Sequence, residues 1–307
     1  MIYDSIYYIN INYCCNNNCI FCLSHSTYEK KSGMKYNDIL EIKNNINLYS
    51  KNRIVINGGE PTLFKDLVSI IHSLKNENLE IVLYSNGRKL AYYDFAESLV
   101  ASGIDRITIP IHGNKIVHNY ITQCDSFDET VKGIKNLLQL KKLYNFSLEI
   151  KVIITNELLN ENIYIPSILN AQDISIEDID CFVISALIDS KVNKLNQNEI
   201  PDYKLVGDYT QKYFNDIKLK NIKIEDIPLC KIKSLSKNTE IKIKDTFDAF
   251  YFYDSTNIKG KKINYKKDKD FFSECKYCNL KDFCGSIMDR YYILLRDENR
   301  LWWRCLE

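Results

Sequence analysis

Short runs of β-branched and aromatic residues alternate along the first two thirds of the chain with longer stretches whose apolar positions recur at helical spacing. The short runs predict strands near 5–13, 53–57, 79–84, 105–111, 147–155 and 180–186. The longer stretches predict amphipathic helices at about 36–49, 65–76, 91–102, 127–144, 157–170 and 203–215. Six β–α repeats in succession imply a parallel sheet with its helices outside. Parallel strands carry their binding loops at their carboxyl ends. Polar or glycine-containing segments follow the strands: a cysteine loop after the first, Gly58-Gly59-Glu60-Pro61 after the second, Ser85-Asn86-Gly87 after the third and His112-Gly113 after the fourth. All four belong on one rim.

After about residue 216 the pattern changes to short strand-like stretches at 240–243 and 249–253, Lys-rich turns around 259–269 and clustered cysteines. The expected organisation is a parallel α/β domain of residues 1–215 followed by a smaller α+β domain of residues 216–307. No repeat, low-complexity linker or long charge block separates the two, so they are expected to pack directly against each other.

At 307 residues the chain can bury a large core without crosslinks. Lys and Arg total 41 against 40 for Asp and Glu, a net charge of +1, so no broad basic surface for nucleic acid is expected. There is no long uninterrupted apolar run, and the start Met1-Ile2-Tyr3-Asp4 lacks the pattern of a signal peptide. The expected location is cytoplasmic, with no membrane partner. Eleven cysteines then call for an explanation, because cytosolic thiols stay reduced. Cys14, Cys15, Cys19 and Cys22 crowd one end and Cys230, Cys275, Cys278, Cys284 and Cys305 the other, which points to metal or iron–sulfur ligation.

Cys15, Cys19 and Cys22 have the spacing C-x3-C-x2-C in a loop just past the first strand, with Phe21 before the last cysteine. Three thiolates can hold three corners of a cubane, which leaves the fourth iron open to bind a small molecule. The alternative is zinc or a set of unrelated buried thiols. A structural zinc closes with four ligands, and His25 alone stands at a suitable distance to be the fourth. Cys14 is left over by the spacing and is expected to be a small buried residue.

With its aromatic residue, this cysteine pattern resembles that of the radical S-adenosylmethionine (SAM) superfamily, and the resemblance extends over about residues 5–190. It implies a partial (β/α)6 TIM barrel and a [4Fe-4S] cluster held by Cys15, Cys19 and Cys22. An electron passed from that cluster cleaves SAM to methionine and a 5′-deoxyadenosyl radical, which abstracts a substrate hydrogen. It further implies that Phe21 lies beside the adenine. Gly58, Gly59, Glu60 and Pro61 look like the family's GGEP motif at the methionyl amino group, and Ser85 and Asn86 look like its third-strand ending. Pro110 stands where the family often has Ser, so either the pocket is rebuilt or His112 substitutes. His118-Asn119-Tyr120-Ile121-Thr122 with Ser126-Phe127 is similar to a segment of several relatives, and His112 and His118 each carry either a structural or a substrate role. Lys151 and Asn156 match positions that frame SAM or substrate. Tyr84, Arg88 and Tyr120 are further candidates because they should face the rim.

Cys275-x2-Cys278-x5-Cys284, preceded by Cys230, resembles the auxiliary-cluster extensions called SPASM and their shortened form, twitch. The shortened form fits better, since Met288 stands where the longer pattern has a further cysteine. These four thiolates would hold a second, auxiliary [4Fe-4S] cluster; a zinc ribbon is the alternative. Cys305, beside Trp302 and Trp303, is expected to be inert. The expected substrate is a peptide or protein, with a small metabolite or sugar as the runner-up and a non-catalytic zinc or iron–sulfur protein as the third possibility. The expected electron source is a reductant such as flavodoxin or ferredoxin.

Overall fold

The computed structural model describes residues 2–22, 33–187, 200–216, 221–228, 231–232, 246–255 and 257–263. Among the described residues nine strands form one sheet: β1 (Ile2–Asn12), β2 (Asn52–Gly58), β3 (Leu79–Tyr84), β4 (Arg106–Pro110), β5 (Ser147–Ile154), β6 (Cys181–Ala186), β7 (Ile222–Glu225), β8 (Thr246–Asp254) and β9 (Asn257–Ile263). The sheet order is β7-β6-β5-β4-β3-β2-β1-β8-β9. Every neighbouring pair is parallel except β8 and β9, which are antiparallel. The α/β class expected from the six repeats, and the partial barrel that the family resemblance implies, are what the structure has.

The helices are α1 (Tyr36–Asn44), α2 (Leu67–Leu74), α3 (Tyr93–Ala101), α4 (Lys115–Thr122), α5 (Phe127–Leu140), α6 (Asn156–Asn160), α7 (Ile165–Asn170) and α8 (Tyr203–Asn215). The single helix expected over 157–170 is broken in two. Asn162 adopts φ +47°, which ends α6, and Pro166 fits only the first turn of a new helix. The short α4 was not expected; the Asn114 side chain caps it by accepting from the Val117 N–H at 3.0 Å.

Period-2 alternation sends one face of each strand outward and the other into the barrel. Outward residues such as Ile9, Ile54, Ile56, Leu83, Ile107, Ile109, Leu148 and Ile150 are buried under the helices. Inward residues form a separate small cluster of Ile6, Val55 and Val82, with Tyr8 and Tyr84 packed on it. Near the amino ends of the strands the lumen carries a ladder of charges. Arg53 Nε meets Glu80 Oε2 at 2.6 Å, Glu80 Oε1 meets Arg106 at 2.6 Å, Arg106 meets Glu149 Oε1 at 2.8 Å, and Lys223 meets the same Glu149 oxygen at 2.5 Å. The lumen is thus plugged from below, and only the carboxyl end of the barrel can hold a ligand.

The sheet continues past residue 215. β7 extends it beside β6, and β8 lies parallel to β1 with Ile6 opposite Phe250. The strand-like stretch at 249–253 thus lies in the sheet, where Tyr251 stacks on Tyr7 at 5.1 Å and 8°. The stretch at 240–243 lies outside the described residues. No helix among the described residues is long and apolar enough to cross a membrane.

Candidate functional site

A cleft of about 320 Å³ opens at the carboxyl ends of the strands. Cys15, Cys19, Phe21 and Cys22 line it together with Gly58, Gly59, Glu60, Ser85, Asn86, His112 and Lys151. Most of the sequence-predicted residues that the structure describes are therefore gathered in one place. Pro61 opens a short 3₁₀ turn behind Glu60, and Asn156 opens α6; neither lines the cleft. Tyr84 and Pro110 line it too. Tyr120 does not and is half exposed, and Arg88 turns away towards the cysteine loop. Cys230, Cys275, Cys278, Cys284, Cys305 and His25 lie outside the described residues.

The cysteine loop has no secondary structure of its own and is held from three sides. The Asn18 N–H donates to Thr122 O at 2.9 Å and the Ile20 N–H to Ile121 O at 3.0 Å, so the carboxyl end of α4 straps it. The Gly59 N–H donates to Asn12 O at 2.8 Å and the Glu60 N–H to Cys14 O at 2.7 Å, which ties its root to the glycine loop. Asn86 Nδ2 donates to Asn16 Oδ1 at 2.7 Å. Cys14, expected to be buried, is exposed. Its place is set by its carbonyl, which pairs with Glu60, so the side chain is free to point outward.

The glycine pair is required by close approach. A Cβ on Gly59 would lie 2.2 Å from Cys14 O, and Gly58, at φ +133°, has Asn12 O at 2.4 Å from where its Cβ would be. The Glu60 carboxylate is buried and accepts four hydrogen bonds: from the Thr62 N–H at 3.0 Å, Thr62 Oγ1 at 2.5 Å, Ser85 Oγ at 2.8 Å and the Asn86 N–H at 2.7 Å. Burial raises its pKa, and those donors oppose the rise. Glu60 thus pins the second loop to the third, and what the motif offers a ligand is backbone.

His112 is 2% exposed and wedged between Phe21, edge-on at 5.2 Å, and His118 at 5.3 Å. The His112 N–H donates to His118 Nδ1 at 3.2 Å, which leaves the His118 proton on Nε2. Burial and the neighbouring His118 hold His112 well below the usual imidazole range, and burial brings His118 down to about 4, so both rings are neutral near pH 7. Across the cleft Lys151 donates to Glu225 Oε2 at 2.7 Å and lies 5.6 Å from the centre of the Tyr84 ring. Burial would lower the Lys151 pKa, but Glu225 outweighs it and the net shift is upward, so the amine stays charged.

The donor set suits an iron–sulfur cluster. Burial pushes the Cys15 thiol up to about 11 and the Cys19 thiol up to about 12, with the neighbouring thiols adding to both. Such a cluster of soft donors is stable as thiolate only around a cation. Among the described residues no three His, Cys, Asp or Glu side chains converge on a single-ion position. A cubane asks for one thiolate per iron corner instead. Asn57 Oδ1 and His112 Nδ1, both on cleft-lining residues, have no partner among the described residues, as expected where a polar ligand belongs.

Sequence reasoning missed Asn17, Asn57, Thr108 and the segment Ser185-Ala186-Leu187, all of which line the cleft. The rule that put four loops on the rim could have found the last, since it directly ends β6.

A parallel barrel that opens onto three thiols of a C-x3-C-x2-C loop defines a scaffold for a cluster with one open iron. Residues 9–152 match the family model of the Radical SAM superfamily. A probable GTP 3′,8-cyclase of Saccharolobus solfataricus is 33% identical over 134 residues, a stretch that covers 43% of this chain and 43% of that protein. The chain thus spans under half the length of the curated relatives it matches. The fold resembles that of anSMEcpe with bound AdoMet (TM-score 0.64, 16% identity, 92% of this chain and 88% of that one). It also resembles Streptococcus suis SuiB bound to precursor peptide SuiA (TM-score 0.61, 15% identity, 95% and 73%).

Proposed function

We propose that this chain reductively cleaves SAM and abstracts a hydrogen atom from a peptide or protein, as in maturation, crosslinking or epimerisation. The observation that carries the reading is the convergence of Cys15, Cys19 and Cys22 on one cleft with the Gly58-Gly59-Glu60 backbone, above a plugged barrel. A [4Fe-4S] cluster held by those three thiolates would supply the electron that cleaves SAM into methionine and a 5′-deoxyadenosyl radical. The protein's part is to bind, orient and keep water out. The backbone of residues 58–60 borders the space for the methionyl end, Phe21 and His112 form one wall, and Ser85, Asn86 and Lys151 frame the remainder. Cys230, Cys275, Cys278 and Cys284 are assigned to an auxiliary [4Fe-4S] cluster, with flavodoxin or ferredoxin as the reductant.

The peptide assignment draws support from the fold shared with SuiB, which binds a precursor peptide. A second reading, a small-metabolite substrate, draws on the 33% identity to a probable GTP 3′,8-cyclase over the barrel stretch.

The test is anaerobic purification, reconstitution with iron and sulfide, and an assay of SAM plus reductant for 5′-deoxyadenosine, beside a Cys15/Cys19/Cys22→Ala variant. About eight irons per chain are expected, falling to about four in the variant with loss of product. Cleavage with only about four irons keeps the SAM reading and moves Cys230, Cys275, Cys278 and Cys284 to zinc. No product from fully loaded protein, with peptide or nucleotide candidates present, overturns the reading in favour of a binding protein.

A further inference from the structure

We infer that Arg88 is a positioning residue that tunes the cysteine-loop cluster through a single peptide unit, Asn16–Asn17; the inference rests on the cluster assignment above. The Arg88 guanidinium donates to Asn16 O and, at 3.1 Å, to Asn17 Oδ1. The same peptide's N–H, on Asn17, donates to Cys15 Sγ at 3.4 Å. A cation on the carbonyl polarises the peptide and makes its N–H a stronger donor. Arg88 thus reaches the sulfur without touching it.

The surroundings show that this contact is built. Arg88 Nε is anchored on Glu129 Oε2 at 2.5 Å, from α5, and the guanidinium is largely buried, its side chain 18% exposed. Gly87, at φ +81°, turns the chain so that Arg88 follows directly on the third-strand loop. Cys124 Sγ is a second donor to Asn16 O, at 3.4 Å. Asn86 Nδ2 holds the Asn16 side chain from the other side. Two donors on one carbonyl and an anchored cation are more than a loop needs merely to stay in place.

Hydrogen bonds to cluster sulfurs stabilise the reduced, more negative state and raise the reduction potential. Removal of Arg88 should therefore make the cluster harder to reduce. The test is an EPR-monitored potentiometric titration of wild type, Arg88→Lys, Arg88→Gln and Lys89→Gln, following the signal that changes on SAM addition, with iron counted in each. Lys89 is the control, a neighbouring cation that bonds Thr62 O at 2.8 Å instead of the cysteine loop.

A threefold to tenfold loss in the reduction equilibrium constant is expected for Arg88→Gln, about 30–60 mV more negative, with a smaller shift for Arg88→Lys and the least for Lys89→Gln. Arg88→Gln that keeps its iron and moves by less than about 1.5-fold, or 10 mV, overturns the inference; so does Lys89→Gln moving as far. Should Arg88→Gln lose its iron, Arg88→Lys decides, and a potential equal to wild type overturns it. A wild type with no SAM-sensitive cluster signal sinks the function reading along with the inference, whereas an intact signal that ignores Arg88 sinks the inference alone.

Discussion

Gly59→Ala tests whether the glycine loop sets the position of the cysteine loop. The added Cβ would lie 2.2 Å from Cys14 O, 2.6 Å from Cys14 C and 2.8 Å from Tyr13 C. All three are backbone atoms, so no side chain can swing aside. Moving from 2.2 Å to ordinary contact at 3.4 Å requires about 1.2 Å of displacement. Cys14 precedes the first ligand, so the displacement passes into Cys15. Overpacking of this kind costs about 1–3 kcal/mol. Stretching the Glu60 N–H···Cys14 O bond, now 2.7 Å, adds about 0.5–1.5 kcal/mol.

The expected loss is thus about 2–4 kcal/mol, measured by urea unfolding of the metal-free protein, together with a marked fall in iron retained after reconstitution. Gly207→Ala is the matched control. Its Cβ would lie 2.1 Å from Lys231 O, on α8, outside the residues that line the cleft. It should destabilise comparably and still load iron at the cysteine loop, whatever it does to Cys230 beside Lys231. Wild-type stability and wild-type iron in Gly59→Ala would refute the reasoning, as would equal loss in both variants of the cluster signal that changes on SAM addition.

Further outcomes are expected elsewhere. His118, held down at about 4 against an ordinary value of 6.5, is neutral in the fold while the unfolded chain protonates first, so stability is full above pH 6.5 and is lost as pH falls towards 4. The loss from this group is up to about 3 kcal/mol, and His118→Asn, which keeps an acceptor for the His112 N–H, should flatten the acid limb of a pH–denaturation curve. Glu60→Gln replaces an acceptor of four donors by a group with one oxygen; a loss of about 2 kcal/mol is expected by thermal or urea unfolding, and no loss would mean the pin between the second and third loops is dispensable. Glu149→Gln takes the carboxylate from Lys223 and leaves Arg106 with Glu80 alone, and should cost about 1.5–3 kcal/mol, read in the same way; a change under about 0.5 kcal/mol would show that Glu80 and water suffice for both cations.

Local patterns made much of this molecule legible. β3 occupies 79–84, the expected span, because Leu79, Ile81 and Leu83 alternate with residues of the other face, and the four rim loops follow from strand direction alone. Other features were not legible, each for a physical reason. α4 has only two turns, and its existence depends on the Asn114 cap and on burying Val117, His118 and Ile121, which the surrounding fold supplies. The pairing of β8 with β1 joins residues more than 240 positions apart, and no local period encodes such a partner. Arg88 reads as a rim residue because it follows the Asn86-Gly87 turn; only the positive φ of Gly87 and the anchor on Glu129 send it behind the cysteine loop.

The charge ladder is the least legible feature and the one that explains why the cleft lies where it does. Arg53 stands directly opposite Glu80, but Arg106 stands opposite Val82 and Glu149 opposite Thr108. The partners on β3, β4 and β5 are therefore staggered by two residues at each step, which is the shear a closing barrel demands. A slip by one residue would turn an inward charge outward and leave its partner buried without a counter-charge. Buried ion pairs are weak evidence of net stability, yet each one broken costs about 3–5 kcal/mol, so a ladder with members on five strands penalises every wrong register more than it rewards the right one. With the register fixed, Gly58, Ser85, Pro110 and Lys151 line one cleft, and the cysteine loop has one surface on which to close.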